Sequence, residues 1–193
     1  MARPSVKQER RAQILEAFEH CVAHYGVEGA TLERVAEQAG LTRSLIRHNV
    51  GNRDALLEAL VERFLARSRR RMAEMLAALP ESGRLDVLLD WLFDPRFADS
   101  TDVLVAEALI AAGARDERLA ETLRRWLAAV VEDFARVIAL DHPEAAAEDI
   151  EAVAAGLTGI YFNVESTAPL GPMPALRAAS RRAAAKLIGS LES

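Results

Sequence analysis

Apolar residues recur every three or four positions along most of this 193-residue chain, and this spacing limits the folds that the chain can adopt. Few segments alternate apolar and polar residues as a half-buried strand does, and aromatic residues make up only 5% of the chain. Short breaks that contain glycine or proline separate the helical stretches. The sequence therefore predicts an all-α protein of about nine helices.

The charge of the chain is divided unevenly between its two ends. Residues 1–71 carry 13 Lys and Arg against nine Asp and Glu, whereas residues 72–193 carry 11 against 20. The overall net charge of −5 therefore conceals a basic N-terminal segment. This segment is the part of the chain suited to bind nucleic acid.

The cysteine content and the absence of long apolar runs indicate the compartment. A single cysteine, Cys21, excludes an intramolecular disulfide framework. No apolar run of signal-peptide type follows Met1, and no window reaches the roughly 18 apolar residues of a membrane-spanning helix. We therefore expect a soluble, cytoplasmic protein without a membrane partner.

Two short helical stretches between residues 31 and 49 have the pattern of a helix-turn-helix. Gly40 permits a positive-φ turn between them, and Thr31 and Thr42 can cap their N-termini. Their apolar residues can form a shared interior: Leu32, Val35, Ala36, Leu41, Leu45 and Ile46. The same pattern also suits a purely structural helical hairpin.

The polar residues left outside on the second stretch are types that bind DNA: Arg43, Ser44, Arg47, His48 and Asn49. Arginine can form a bidentate pair with guanine and asparagine with adenine, while serine and threonine reach phosphates or bases. Which residue contacts which base stays open.

Residues 14–57 resemble the DNA-binding domain of the TetR (tetracycline repressor-like) family. The resemblance rests on three segments in the same order: Ile14-Leu15-Glu16-Ala17-Phe18 followed by Tyr25-Gly26, then Thr31 through Thr42, then Gly51-Asn52-Arg53-Asp54-Ala55-Leu56-Leu57. The sequence departs from the family at Arg47, where an aromatic residue is usual, at Val50, where Phe is usual, and at Asn52-Arg53, where Ser-Lys is usual.

The resemblance implies where operator DNA binds. Thr31 and Arg53, at helix N-termini, should hold phosphates, and residues Thr42 to Asn49 should face the major groove. A basic arm that includes Arg3 and Lys7 is either a further DNA contact or a solvated extension.

The resemblance also implies a two-domain organisation. Residues 1–52 form the DNA-binding domain, and residues 53–193 form a helical ligand-binding and dimerisation domain, with helix 53–79 connecting the two. The expected function is that of a homodimeric repressor that binds a palindromic operator and is released by an unidentified small-molecule effector. The alternative is a helical ligand-binding or protein-interaction module that has lost sequence-specific DNA binding. We expect no enzyme activity, no cofactor and no metal site.

An effector pocket would use the large side chains of the C-terminal region, because small-molecule sites are mostly apolar. The candidates are Trp91, Phe97, Trp126, Phe134, Tyr161 and Phe162, for which ordinary core packing is the competing interpretation. Glu107 interrupts an apolar run. It would meet a cationic or hydrogen-bonding ligand, pair with an arginine or lie at an exposed edge.

The last two helical stretches carry apolar faces that need a partner. In the family that the chain resembles, the final two helices of each subunit form a four-helix dimer interface. The predicted interface residues are Ile150, Val153, Leu157, Ile160, Leu176, Ala183 and Leu187. Burial within one chain is the competing explanation.

A dense basic run, from Arg67 to Arg71, lies several helical turns beyond the helix-turn-helix. We expect it to form a solvated face or salt bridges to the acidic part of the chain.

Overall fold

The computed structural model describes residues 6–97 and 100–192, without the side chains of residues 97 and 100. These residues form nine α-helices and no strand, which confirms the predicted all-α fold. The helices are α1 (Val6–Gly29), α2 (Leu32–Ala39), α3 (Arg43–Val50), α4 (Arg53–Ala77), α5 (Arg84–Leu92), α6 (Ser100–Gly113), α7 (Glu117–Asp141), α8 (Ala147–Ser166) and α9 (Pro174–Gly189). In the described part of the chain, no helix has both the length and the apolarity needed to cross a membrane.

The chain divides into two compact units. The first unit comprises Met1–Arg67 and Leu104–Ala120, and the second comprises Ser68–Val103 and Glu121–Ser193. This division differs from the predicted boundary at residue 52, because the N-terminal part of α4 buries apolar side chains in the first unit. Helix α4 thus contributes residues to both units.

The predicted turn and caps of α2 and α3 are present in the first unit. Gly40 ends α2 in the left-handed region, with φ 64° and ψ 34°, where glycine meets no penalty from a Cβ atom. The hydroxyl of Thr31 accepts a hydrogen bond from the backbone N–H of Arg34, and that of Thr42 accepts one from Leu45, each at 3.4 Å. The threonine caps and the Gly40 turn therefore fix the ends of these two short helices and the angle between them.

The interior of the first unit is apolar and joins α1 to the two short helices. Ile14, Phe18 and Val22 of α1 are fully buried, as are Val35 and Ile46. The side-chain amide of Gln13 donates to the carbonyl of Ala39 at 2.9 Å and ties α1 to the end of α2. The position of α3 is therefore set by its packing against α1 and α2.

Cys21 lies in this interior and is a packing residue. Its side chain is buried, as the helical spacing predicts. Burial raises the pKa of the thiol, with a smaller raising effect from the charge of Glu37 and an opposing effect from that of Arg34. The thiol therefore stays protonated at neutral pH and is a poor nucleophile.

A buried carboxylate joins α1 to α4 within the first unit. Glu19 is only 4% exposed, and its carboxylate accepts a hydrogen bond from Arg67 at 2.5 Å and lies 3.4 Å from Arg63. A buried carboxylate is costly unless it is paired and hydrogen-bonded, and the two arginines fulfil that requirement. Arg67, the first residue of the basic run, thus pairs with a carboxylate of the N-terminal segment, whereas Arg71 pairs with Asp102 of the acidic part of the chain, as expected.

The second unit has its own apolar core, which contains some of the predicted dimer-interface residues. Ile150, Val153 and Leu157 of α8 pack in a buried cluster with residues such as Phe134 and Ile138 of α7. Their assignment to the dimer interface is therefore wrong. Helical periodicity identified an apolar face of α8 but not whether that face meets the same chain or another one.

Helices α8 and α9 pack closely where a glycine removes the side chain between them. A Cβ atom added at Gly156 would lie 2.6 Å from the Cδ2 atom of Leu187. Leu187, also predicted at the dimer interface, therefore contacts α8 of its own chain.

We predict that Glu19→Ala lowers the free energy of unfolding by about 1–3 kcal/mol, because it leaves Arg67 and Arg63 without their shared carboxylate. Partial exposure of both arginines keeps the loss below that for a fully buried pair. The measurement is urea unfolding followed by circular dichroism, at matched protein concentration. Glu16→Ala, an exposed position on the same helix, is the control. Equal midpoints for the two variants would contradict a stabilising role of Glu19.

Candidate functional site

Helix α3 presents most of its side chains to solvent and buries one. Ile46 is fully buried, whereas Arg43, Ser44, Arg47 and His48 are exposed, as the sequence predicts. The outward face of this helix is therefore short, polar and basic, which suits the major groove of DNA.

Leu45 is exposed, although the sequence pattern places it in the shared interior. Its exposed fraction is 43%, against 0% for the adjacent Ile46. Leu45 and Ile46 are adjacent, so a helix of only eight residues can bury either of them by a different rotation about its axis. The burial of Ile46 against the other helices selects the observed rotation. The prediction that Leu45 lies in the interior is therefore wrong.

Arg43 is held by a residue of the neighbouring helix. Its guanidinium donates to the carboxylate of Glu33 on α2 at 2.5 Å, and both side chains are more than half exposed. Next to it, the hydroxyls of Thr42 and Ser44 are 3.0 Å apart and share a hydrogen bond. The side chains at the start of α3 are therefore already engaged with one another or with α2.

Arg47 and His48 differ from these residues in having no side-chain partner in the described part of the chain. Arg47 occupies the position where the TetR family usually has an aromatic residue. An arginine without a carboxylate partner keeps its full set of donors available to a phosphate or to the edge of a guanine. Arg47 is therefore the most available cation on the outward face of α3.

Two of the predicted DNA contacts make structural hydrogen bonds. Asn49 is half-buried, and its amide Nδ2 donates to the carbonyl of Leu45 at 2.8 Å. The guanidinium of Arg53 is also half-buried and donates to the carbonyl of Val27, so it joins the start of α4 to the end of α1. Sequence reasoning assigned a ligand to each side chain because it could not identify these backbone acceptors.

A cluster of three aromatic rings lies within the second unit. The rings of Trp126 and Phe162 meet edge to face at 5.6 Å between centroids, and those of Phe162 and Tyr161 do so at 5.9 Å. The indole N–H of Trp126 donates to the hydroxyl of Ser68 on α4 at 2.9 Å. The structure therefore brings together three of the side chains predicted to contact an effector.

The charges of two ion pairs act on the phenol of Tyr161. Burial raises the pKa of Tyr161 to about 12, and the charge of Glu165 adds to that shift. Glu165 is paired with Arg177 at 3.1 Å, and Asp102 is paired with Arg71 at 2.6 Å. The phenol therefore remains protonated at any physiological pH, as a neutral hydrogen-bonding group beside two neutralised ion pairs.

The other predicted effector residues lie elsewhere or are engaged in packing. Phe134 is fully buried in the core of the second unit, Trp91 is half-buried on α5, and the side chain of Phe97 is outside the described residues. Glu107 is exposed on α6, in the part of that helix that belongs to the first unit. The expectation that Glu107 meets a ligand inside the bundle is therefore wrong, and the competing expectation of an exposed edge describes it.

An open groove of about 520 Å³ runs along α8 and α9 within the second unit. Small side chains line most of it: Gly156, Gly159, Ile160, Asn163, Ala179, Ser180 and Ala183. Of the predicted interface residues, Ile160 and Ala183 lie in this groove, and Leu176 is half-buried on α9. The sequence places small residues beside the predicted interface residues of the last two helices, and these small residues line the groove.

No family model matches the chain. Two curated relatives are informative. The HTH-type transcriptional repressor AcnR of Corynebacterium efficiens is 36% identical over 89 residues, which are 46% of this chain and 44% of AcnR, so the match spans less than half of that relative. The HTH-type transcriptional regulator BetI of Stenotrophomonas maltophilia is 28% identical over 181 residues, 86% of this chain and 91% of BetI.

Solved structures share the whole fold. A TetR-family transcriptional regulator from Rhodococcus superimposes with a TM-score of 0.69 at 25% identity and covers 96% of this chain and 100% of its own. A regulator from Saccharomonospora viridis in complex with choline gives a TM-score of 0.75 at 15% identity, over 93% of this chain and 95% of its own. The relatives and the fold agree with the helix-turn-helix of α2 and α3: the chain is similar to HTH-type transcriptional regulators and has the fold of a TetR-family regulator of known structure.

Proposed function

We propose that the chain is a homodimeric repressor that binds a palindromic operator through α3 and releases it when a small molecule binds to the second unit. The observation that carries the proposal is the outward face of α3, a helix fixed by Thr42 and Ile46, where Arg47 and His48 have no side-chain partner among the described residues. The name of AcnR, a repressor, supports the direction of regulation.

Within this proposal, the residues of α3 have different roles. Arg47 contacts a phosphate or a guanine directly, because nothing in the described part of the protein competes for it. Arg43 reaches DNA only by exchanging Glu33 for a phosphate or a base, and the exchange offsets part of the energy of the new contact. Thr31 and Thr42 present the N-termini of α2 and α3, where backbone N–H groups favour phosphate.

The groove along α8 and α9 is the proposed dimer interface. Its glycine and alanine side chains allow two helix pairs to approach closely, and a two-fold axis through it makes the interface self-complementary. Two copies of α3 related by such an axis read two inverted half-sites, separated by ~34 Å when they lie one DNA turn apart.

The aromatic cluster of Trp126, Tyr161 and Phe162 is the proposed effector site. Aromatic faces attract quaternary ammonium groups, and both nearby arginines are neutralised by carboxylates. The choline held by the Saccharomonospora viridis regulator makes choline a suitable first probe. Effector binding lowers operator affinity only to the extent that the effector prefers the conformation with weaker DNA binding, and α4, which belongs to both units, is the proposed connection.

Selection of operator DNA from a random duplex library should enrich a palindromic sequence. On the enriched duplex, we expect Arg47→Ala to weaken specific binding by roughly 10- to 100-fold, corresponding to about 1–3 kcal/mol for a lost arginine contact. Arg43→Ala should have a smaller effect, because that arginine must first leave Glu33. The measurement is a binding titration at fixed salt, since affinity for DNA depends strongly on ionic strength.

The matched control is Arg182→Ala, an exposed arginine on α9 in the second unit, which should bind the operator like the wild-type protein. If no sequence is enriched over bulk DNA, operator binding is wrong and the alternative of an interaction module without sequence-specific DNA binding gains support. If Arg47→Ala and Arg182→Ala bind equally well, the role proposed for Arg47 is wrong.

The dimer proposal predicts that Gly159→Arg yields a folded monomer. A Cβ atom at Gly159 meets nothing within 4 Å in the protomer, so the arginine protrudes into the groove without disturbing its own chain. Gly189→Arg is the control, because a Cβ atom there also meets nothing and the position lies outside the groove. Sedimentation should give two chains for the wild type and for Gly189→Arg. A dimer of Gly159→Arg would show that the interface lies elsewhere.

The effector proposal predicts saturable quenching of Trp126 fluorescence by choline in a Trp91→Phe background, which removes the other tryptophan. Adding Phe162→Leu keeps an apolar side chain but removes the ring, and we expect roughly five- to thirtyfold weaker binding, corresponding to about 1–2 kcal/mol of cation–π energy. Glu107→Gln should bind like the background protein. Quenching that never saturates, or that Phe162→Leu leaves unchanged, would exclude choline binding at this cluster without bearing on the DNA-binding proposal.

A further inference from the structure

Leu45 is an exposed aliphatic side chain on the one helix whose outward face is otherwise polar. An isolated exposed leucine needs no explanation on most protein surfaces. On α3, however, its neighbours one helical turn away include His48, and the adjacent Ile46 already provides the apolar contact that holds the helix in place. Packing within the unit therefore gives no account of the aliphatic side chain at position 45.

The neighbours of Leu45 also limit what else the centre of α3 can recognise. The Nδ2 group of Asn49, which could pair with adenine, donates to the carbonyl of Leu45. Ser44 shares a hydrogen bond with Thr42, and Arg43 is paired with Glu33. Within the described part of the chain, the outward side chains of α3 without a hydrogen-bond or ion-pair partner are consequently Leu45, Arg47 and His48, of which Leu45 alone is apolar.

The major groove offers an aliphatic side chain one distinctive partner, the C5-methyl group of thymine. This methyl group is the apolar feature by which a T·A pair differs from the other base pairs in unmodified DNA. We infer that Leu45 packs against the C5-methyl group of a thymine in each operator half-site and thereby specifies a T·A pair there. The inference rests on the proposed operator binding and adds a specificity-determining residue to it.

The test replaces each thymine of the selected operator, one symmetric pair at a time, by deoxyuridine, which lacks only the methyl group. For the wild-type protein we expect one such replacement to weaken binding about fourfold per half-site, the effect of losing contact with one buried methyl group. Leu45→Ala should bind the thymine and deoxyuridine operators at that position equally well. Leu45→Met keeps an aliphatic contact and should retain sensitivity to the methyl group.

Ile110→Ala is the matched control, since Ile110 is also a large exposed aliphatic residue but lies on α6. It should retain the full sensitivity of the wild-type protein to deoxyuridine. The inference is overturned if no thymine position responds to the loss of its methyl group, or if Leu45→Ala keeps the wild-type response. Both results are obtained on a selected operator. If the selection enriches no sequence, operator binding itself is contradicted, and the inference with it.

Discussion

Helices of eight residues are not stable alone in water, and the proposed DNA-binding surface consists of two of them, α2 and α3. Their existence depends on how their ends are satisfied and on what they pack against. Threonine hydroxyls begin both helices, the left-handed Gly40 ends the first, and the fully buried Ile46 fixes the second against the interior. Glu19, with its two arginines, joins α1 of the same unit to α4. The geometry of the proposed DNA-binding surface therefore depends on the packing of the whole first unit.

The structure shows that a count of basic residues overstates the charge available to DNA. The N-terminal segment is basic in composition, but Arg43 is paired with Glu33, and Arg67 with Glu19. Arg53 hydrogen-bonds to a backbone carbonyl, and Arg34 both donates to the carbonyl of Gly29 and lies over the ring of Tyr25. Arginines fixed in this way stabilise the unit. The proposed recognition of DNA therefore depends on the few arginines that have no partner in the described part of the chain, of which Arg47 is the clearest.

Local features of the fold could be predicted from the sequence because their causes are local. Thr31, Thr42 and Gly40 act within a few residues of themselves, so their roles as caps and turn were correct. Leu45 and Leu157 were misassigned for a common reason: periodicity shows that a helix has an apolar side but not which surface receives it. Glu107 was misassigned because an interrupted apolar run does not distinguish a buried carboxylate from one at an exposed edge. The aromatic cluster and the small-residue groove depend on how successive helices pack against one another, which the sequence pattern alone does not specify.

An aliphatic residue on the reading helix has a consequence for how selectivity responds to the ionic environment. A contact from Arg47 to a phosphate, one of its two proposed partners, would release counterions, so its contribution would weaken as salt rises, and would do so on every DNA sequence alike. Contact between Leu45 and a methyl group releases no ions. In the proposed complex, overall affinity for DNA and preference for the correct base pair are therefore separable quantities. A cell whose internal salt concentration changes would alter how much of the protein is on DNA while leaving its preference at that base pair intact.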